Sequence, residues 1–432
     1  MMRRAAIILI VITPLFSGLF SCDTQRNIED PDLQYFVKYY GGDGNQRGVD
    51  MINLNDGSFL LLGNSEGNSQ TDISDIYVAR VNAEGDIIWE RKFIADISMA
   101  KDIEPTKDGN FIILADYQSA IGSQMEGKLI KISPDGVMLD SVFFGEIAND
   151  YSKSVTILDD GGFIVSGTTE LTGTWADSGN PDPDLGDFFN RRFDLNLTEL
   201  VTLGEWSPVS PGFGGKLDVA VKTIQKPGEF YVFGYSNTES RNNPNNKLGL
   251  TYFKRTEEGT GGNIFYPDNA PGEDNKDVEI YFVEPVSPAL GDGFIIIGSS
   301  KDNFGVSDIF IARMRENLVF GENDPTFFGP LRLSRDIRGV SATSSLTGTV
   351  GFILLGDEVR STGARNIWVT KIDQSRTVIW SSTFGSESED DSGAAVAELP
   401  DGKILILGTM GLADNQYKMA LIKMNPQGQL LK

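Results

Sequence analysis

Four carboxylates fall within the eight residues Ser386-Glu-Ser-Glu-Asp-Asp-Ser-Gly393, and a second acidic stretch, 170–187, carries Trp175, Asp177, Asp182, Asp184 and Asp187. Neighbouring carboxylates such as Asp390 and Asp391 can split their ionisation and serve as acid and base, the chemistry of glycan cleavage. Surface acidic runs are commoner than catalytic pairs. An Asp at a loop end also bonds local backbone N–H groups, so capping is the plainer role for Asp391 and for Asp150, Asp274, Asp277 and Asp336 at matching places. The 170–187 carboxylates could ligate Ca²⁺, which takes six to eight oxygens, but their spacing is not that of an EF-hand loop, and Pro181 and Pro183 stiffen the run. A solvated acidic loop holding no cofactor is the simpler reading. Aromatic side chains share these loops: Tyr117, Trp175, Phe213, Tyr235, Tyr266, Phe304 and Tyr417. Beside Asp and Asn they could stack on sugars or anchor a protein partner; partial burial between sheets is the alternative for each.

Composition removes several classes of chemistry. The 432 residues include no His, so there is no Ser-His-Asp triad, Cys-His pair or His-ligated zinc. A single Cys makes neither an intramolecular disulfide nor a Cys-cluster metal site. The net charge of −24 opposes nucleic acid and anionic membrane faces. An apolar fraction of 40% supports a folded core.

The elements that must position these loops come from one repeated unit. A turn, an apolar run and usually a Gly recur seven times, as in Asp56-Gly-Ser-Phe-Leu-Leu-Leu-Gly63, Asp292-Gly-Phe-Ile-Ile-Ile-Gly298 and Asp401-Gly-Lys-Ile-Leu-Ile-Leu-Gly408. The runs end at 63, 115, 167, 234, 298, 356 and 408, in steps of 52, 52, 67, 64, 58 and 52. Such steps suit a four-stranded propeller blade. The first unit predicts strands a to d at Val49–Leu54, Phe59–Gly63, Asp75–Val81 and Asp86–Phe93, with Asp-Gly and Glu-Gly turns closing the hairpins. Strand b is apolar without alternation, as expected of a strand covered on both faces.

The last unit stops at Lys432, half a strand short. Phe36-Val-Lys-Tyr-Tyr-Gly41 matches Trp380-Ser-Ser-Thr-Phe-Gly385, the end of another strand d. Residues Phe36–Tyr40 are therefore predicted to complete the seventh blade, closing the ring and removing its open edge. The fold class is all-β: a seven-bladed propeller of four-stranded antiparallel blades.

The chain resembles bacterial seven-bladed β-propellers, and Gly85-Asp-Ile-Ile-Trp89 is similar to the Gly-x-x-x-Trp part of quinoprotein-type blades, with Trp380 at the matching position. At the start of the sequence, Met1–Ser21 reads as an export leader. Arg3 and Arg4 precede the apolar Ala5–Ile12 and Leu15–Phe20, a run too short and broken for a permanent span of ~20 residues. Leu19-Phe20-Ser21-Cys22 resembles the lipobox of bacterial lipoproteins. That resemblance implies a mature N-terminus at Cys22 carrying acyl chains, and a place in the cell envelope, expected at the outer membrane. The domains are then a leader at 1–21, a lipidated tether at 22–33 and the propeller at 34–432. The eleven tether residues after Cys22 reach at most ~40 Å.

The a–b and c–d turns are short and share one face, whereas the b–c and d–a connections include the long stretches 168–186, 207–217, 235–247, 266–276 and 385–393. Long loops on a rigid scaffold carry recognition, so the binding surface is expected on the b–c/d–a face, which points away from the lipid. The expected role is a non-catalytic module for a protein or glycan, through Trp175, Asp177, Asp182, Asp184, Phe213, Tyr235, Tyr266, Asp390 and Asp391. By resemblance, the partner is an outer-membrane uptake complex or a β-barrel assembly machine. The rival is a carboxylate-dependent glycan hydrolase or lyase at the channel mouth, with Asp150 and Asp391 as its pair.

Overall fold

The apolar runs that mark each repeat are buried on both faces, and that fixes how the sheets stack. In the computed structural model, Leu60–Leu62, Ile112–Leu114 and Ile404–Leu407 are fully shielded from solvent. The structure describes residues 35–66, 74–93, 97–119, 123–145, 149–170, 186–200, 217–236, 249–256, 264–268, 277–286, 292–315, 328–331, 335–345, 347, 351–386, 388–412 and 416–430; of Ile97, Ile264–Asp268 and Phe328–Pro330 it gives the backbone alone. Gln34–Lys432 forms one compact unit.

Strand β1 (Phe36–Tyr40) comes first. Blade 1 follows as β2 (Asn45–Asn53), β3 (Phe59–Glu66), β4 (Ser74–Val81) and β5 (Ile87–Phe93). Blade 2 is β6 (Ile97–Pro105), β7 (Phe111–Gln118), β8 (Met125–Ile132) and β9 (Met138–Phe144). Blade 3 is β10 (Asp150–Ile157), β11 (Phe163–Glu170) and β12 (Gly186–Phe193), three-stranded among the described residues, with a single bridge from Phe193 to Glu199 on its outer side. Blade 4 is β13 (Asp218–Lys226), β14 (Glu229–Ser236), β15 (Gly249–Thr256) and β16 (Ile264–Asp268). Blade 5 is β17 (Asp277–Pro285), β18 (Phe294–Lys301), β19 (Ser307–Met314) and β20 (Phe328–Pro330). Blade 6 is β21 (Ile337–Ser344), β22 (Gly351–Val359), β23 (Arg365–Asp373) and β24 (Val378–Phe384). Blade 7 is β25 (Ser392–Glu398), β26 (Ile404–Leu412), β27 (Gln416–Met424) and then β1, giving seven antiparallel sheets. No helix occurs among the described residues.

The core is divided among the junctions between blades. One cluster, with Phe59, Leu61, Tyr77, Leu405 and Leu407, fills the gap between blades 7 and 1; another, with Leu60, Leu62, Ile113 and Ile130, fills the gap between blades 1 and 2. The pattern continues around the ring to Ile353, Leu355, Ile404 and Ile406 between blades 6 and 7. Each first strand packs beside the first strands of both neighbours, β2 beside β25 included, so the ring is closed.

The closing seam is the predicted one. β1 pairs antiparallel with β27 from Phe36↔Lys423 to Tyr40↔Met419. Lys418 holds the link from β1 to β2, donating to Gly42 O at 2.6 Å, Gly44 O at 2.7 Å and Gln46 Oε1 at 2.8 Å. The Tyr40 hydroxyl donates to Gly85 O at 2.8 Å in blade 1. Phe36, Trp89 and Trp380 play one part in three blades: each ring lies against a positive-φ turn glycine of the next blade, Gly85, Gly136 and Gly428 respectively. Trp89 also donates through Nε1 to Pro134 O at 3.0 Å.

Every first strand carries one bulge. Val49, Lys101, Lys153, Val221, Tyr281, Val340 and Ala394 drop out of the register with the second strand, at the same point in each blade. The predicted first strand, Val49–Leu54, starts late for this reason. The bulge breaks the alternation, and the polar Asn45, Gln46 and Arg47 ahead of it belong to the strand as well.

Candidate functional site

Counting back from each bulge explains the acidic loop ends. Three residues before the last in-register position stand Asn45, Asn149, Asp336 and Asp390. Each side chain accepts a hydrogen bond from an N–H in the first two residues of the third strand of the preceding blade: Tyr417 at 3.0 Å, Met125 at 2.7 Å, Ser307 at 2.9 Å and Arg365 at 3.0 Å. One residue later, Asp391 is fully buried and accepts from Ser386 N and Gly411 N, both at 2.8 Å. Asp150, at the matching place, is also fully buried. Burial first, opposed by those two N–H bonds, raises the Asp391 carboxyl above its usual range. Asn45, Asn149, Asp336 and Asp390 thus tie blade to blade, whereas Asp391 fastens the link after β24 to β26 of its own blade.

Further ties run from the residue after each strand-b glycine or its equivalent. Asn64, Asp116, Ser299, Asp357 and Thr409 accept from the backbone N–H groups of Ala100, Ser152, Gly339, Gly393 and Gly48, each in the following blade. Tyr235 holds this position in blade 4, half-buried against the apolar cluster shared with blade 5. Burial, then the charge of Glu279, raises its hydroxyl pKa.

Of the other residues singled out in the sequence, Cys22, Trp175, Asp177, Asp182, Asp184 and Phe213 lie outside the described residues. Tyr266 lies in β16, where the backbone alone is described. Asp390 and Tyr417 come to one cleft. With Thr362, Gly363, Ala364, Ser388 and Glu389 they line a cleft of about 540 Å³ between blades 6 and 7, on the long-loop face. The Arg47 guanidinium covers one face of the Tyr417 ring at 4.5 Å, and Arg365 reaches Asp390 Oδ2 at 3.5 Å.

The inner strands hold a second set of ionisable groups that sequence reasoning passed over. Asp50 and Asp102 sit one residue after their bulges, each in the field of the other. Burial first, then the Asp102 charge, holds the Asp50 carboxyl well above the usual carboxylate range. Glu104 lies close by, 3.5 Å from Lys222 Nζ in blade 4. The Asp102, Glu104 and Asp50 charges together outweigh burial and raise the Lys222 pKa. Nearer the long-loop face, Lys101 pairs with Asp116 at 3.0 Å and Arg338 with Glu279 at 3.4 Å. Lys153 lies in their field, its pKa lowered by burial first and then by the Lys101 charge. The signal for the carboxylate pair was available: 50 and 102 are 52 apart, the repeat step itself. Among the described residues, no group of three or more acidic or Cys side chains is arranged to hold a metal ion.

No protein family matches the chain, and no curated protein matches it. Among solved structures it is similar to extracellular domains 1–2 of Drosophila semaphorin 1a, at 8% identity and a TM-score of 0.50, covering 90% of this chain and 87% of that one. A protein of unknown function from Dyadobacter fermentans aligns at 10% identity and a TM-score of 0.46 over 90% and 99% of the two chains. A thermostable family-43 glycoside hydrolase aligns at 10% and 0.35 over 67% and 92%. At 8% identity the semaphorin likeness shows the fold alone, and the other two are too distant for argument.

Proposed function

We infer that this chain is a lipid-anchored envelope propeller that binds a protein or glycan on its long-loop face without catalysis. The observation that carries the reading is the cleft between blades 6 and 7. It combines an aromatic ring, three hydroxyls and two carboxylates, as a recognition site does. The buried Asp150 and Asp391 fit this role better than acid–base work, because Asp391 is held by two backbone N–H groups and neither side chain meets solvent. The test is a glycan array and an envelope pull-down with the full chain, repeated with Tyr417→Ala and Glu389→Gln. The expected result is a ligand retained by the parent and lost by both variants. Retention by both variants overturns the site.

A second reading, glycan hydrolysis or lysis within the channel, is favoured by the Asp50–Asp102–Glu104 cluster. Under that reading a glycan ligand is cleaved by the parent protein and left intact by Asp102→Asn.

A further inference from the structure

The outer strands carry one apolar position in common. Ile87, Met138 and Val378 open β5, β9 and β24, pairing with Val81, Ile132 and Ile372, and the Phe193–Glu199 bridge puts Glu199 at the same register in blade 3. The next residue in each blade is therefore Ile88, Leu139, Ile379 and Leu200. All four are exposed, at 54%, 52%, 48% and 38%. In blade 7 the outer strand is β1, whose Phe36 matches Trp89 and Trp380, so Tyr35 takes this position. Blades 6, 7, 1, 2 and 3 thus present Ile379, Tyr35, Ile88, Leu139 and Leu200 in succession. Exposed apolar residues scattered singly are ordinary; four of them at one register position, with the half-buried Tyr35 between Ile379 and Ile88, make an arc over five consecutive blades.

We propose that this arc rests on the surface of the lipid bilayer. Two observations select the occupant. The arc lies at the c–d turn end of the outer strands, and β1, which follows the 22–33 tether, begins inside it. A tether of at most ~40 Å keeps that end of the propeller near whatever Cys22 is attached to. The strip is also apolar on a chain of net charge −24, which headgroup charge would otherwise repel. An anchor and an apolar contact act together, each reinforcing the other. The proposal rests on the lipid-anchor reading. It sets the long-loop face towards water and leaves the blade 6–7 cleft open.

The test uses the full chain, extracted from membranes and reconstituted in phosphatidylethanolamine vesicles with a minor phosphatidylglycerol fraction. Ile88→Cys, Leu139→Cys and Ile379→Cys each carry an environment-sensitive fluorophore. Phe304→Cys, 91% exposed in the b–c turn of blade 5, is the reference. Mass spectrometry of the Cys22 peptide reports acylation separately. The expected result is a blue shift and quenching by doxyl-labelled lipid at 88, 139 and 379, with neither at 304. An acylated Cys22 with all four labels equally wet overturns the proposal and leaves the anchor standing. An unmodified Cys22 overturns both. A blue shift without lipid quenching means that a protein covers the arc, and also overturns it.

Discussion

Asp50 and Asp102 occupy equivalent positions on consecutive inner strands, and each carboxylate reaches the next blade: Asp50 accepts from Ile103 N at 3.2 Å and Asp102 from Val155 N at 2.8 Å. The two carboxylates lie in each other's field. Burial and the Asp102 charge raise the Asp50 pKa above its unfolded value. The folded chain therefore binds the extra proton, and this contribution to stability is complete below the ordinary carboxylate range and lost as pH rises through the raised value. Asp50→Asn keeps the shape and cannot ionise. It is expected to flatten the fall in thermal midpoint between acidic and neutral pH, measured by calorimetry across that range.

Glu284 gives a narrower window. Burial pushes its carboxyl up to about 7, and the Ser344 hydroxyl donates to it. By the same sign, stability is lost as pH rises from the ordinary glutamate range through about 7. Glu284→Gln should leave stability unchanged at low pH and raise it by roughly 1 kcal/mol above pH 8, allowing for screening by water at a half-buried site. Equal effects at both pH values would refute the assignment.

Gly57 and Gly85 both adopt φ of +80° in turns, but their surroundings differ. A Cβ at Gly57 would meet nothing within 4 Å, whereas at Gly85 it would lie 2.6 Å from the Phe36 ring. Gly57→Ala should cost about 1 kcal/mol of backbone strain. Gly85→Ala should cost ~2–3 kcal/mol, because it also displaces the first residue of the closing strand. Denaturant unfolding of the two variants compares them directly.

Lys371 and Glu398 pair at 2.9 Å with side chains 8% and 0% exposed, and Thr347 donates to Glu398 through its hydroxyl at 2.6 Å. Glu398→Ala leaves a buried cation without its counter-charge and should cost about 3–5 kcal/mol. Adding Lys371→Met should recover most of that loss. A double variant as unstable as the single one would show that the loss comes from the cavity.

The blade count and the closing strand were legible because Gly-bounded turns and continuous apolar runs repeat wherever a strand is covered on both sides. Phe36–Tyr40 paired with β27 over all five residues, as the match to Trp380–Phe384 implied. Asp390 and Asp391 stood out as acidic loop residues, and their capping role was readable. The reach of Asp390 into the preceding blade was not, because local sequence does not say which backbone lies alongside. Asp50 and Asp102 escaped notice because they sit inside strands, where a polar residue reads as solvent-facing until the bulge turns it inward. Tyr235 stood out as a loop aromatic, yet its place after Gly234 marks it as a residue of the blade 4–5 junction.

The seam between β1 and β27 ties the first strand among the described residues to the last. A polypeptide cut short before Gln416 has nothing to lay Phe36–Tyr40 against, and it shows raw strand edges at both ends of an open stack. Synthesis of β27 and concealment of those edges are thus a single event, and copies that lack it are left conspicuous to any protease that recognises unpaired backbone.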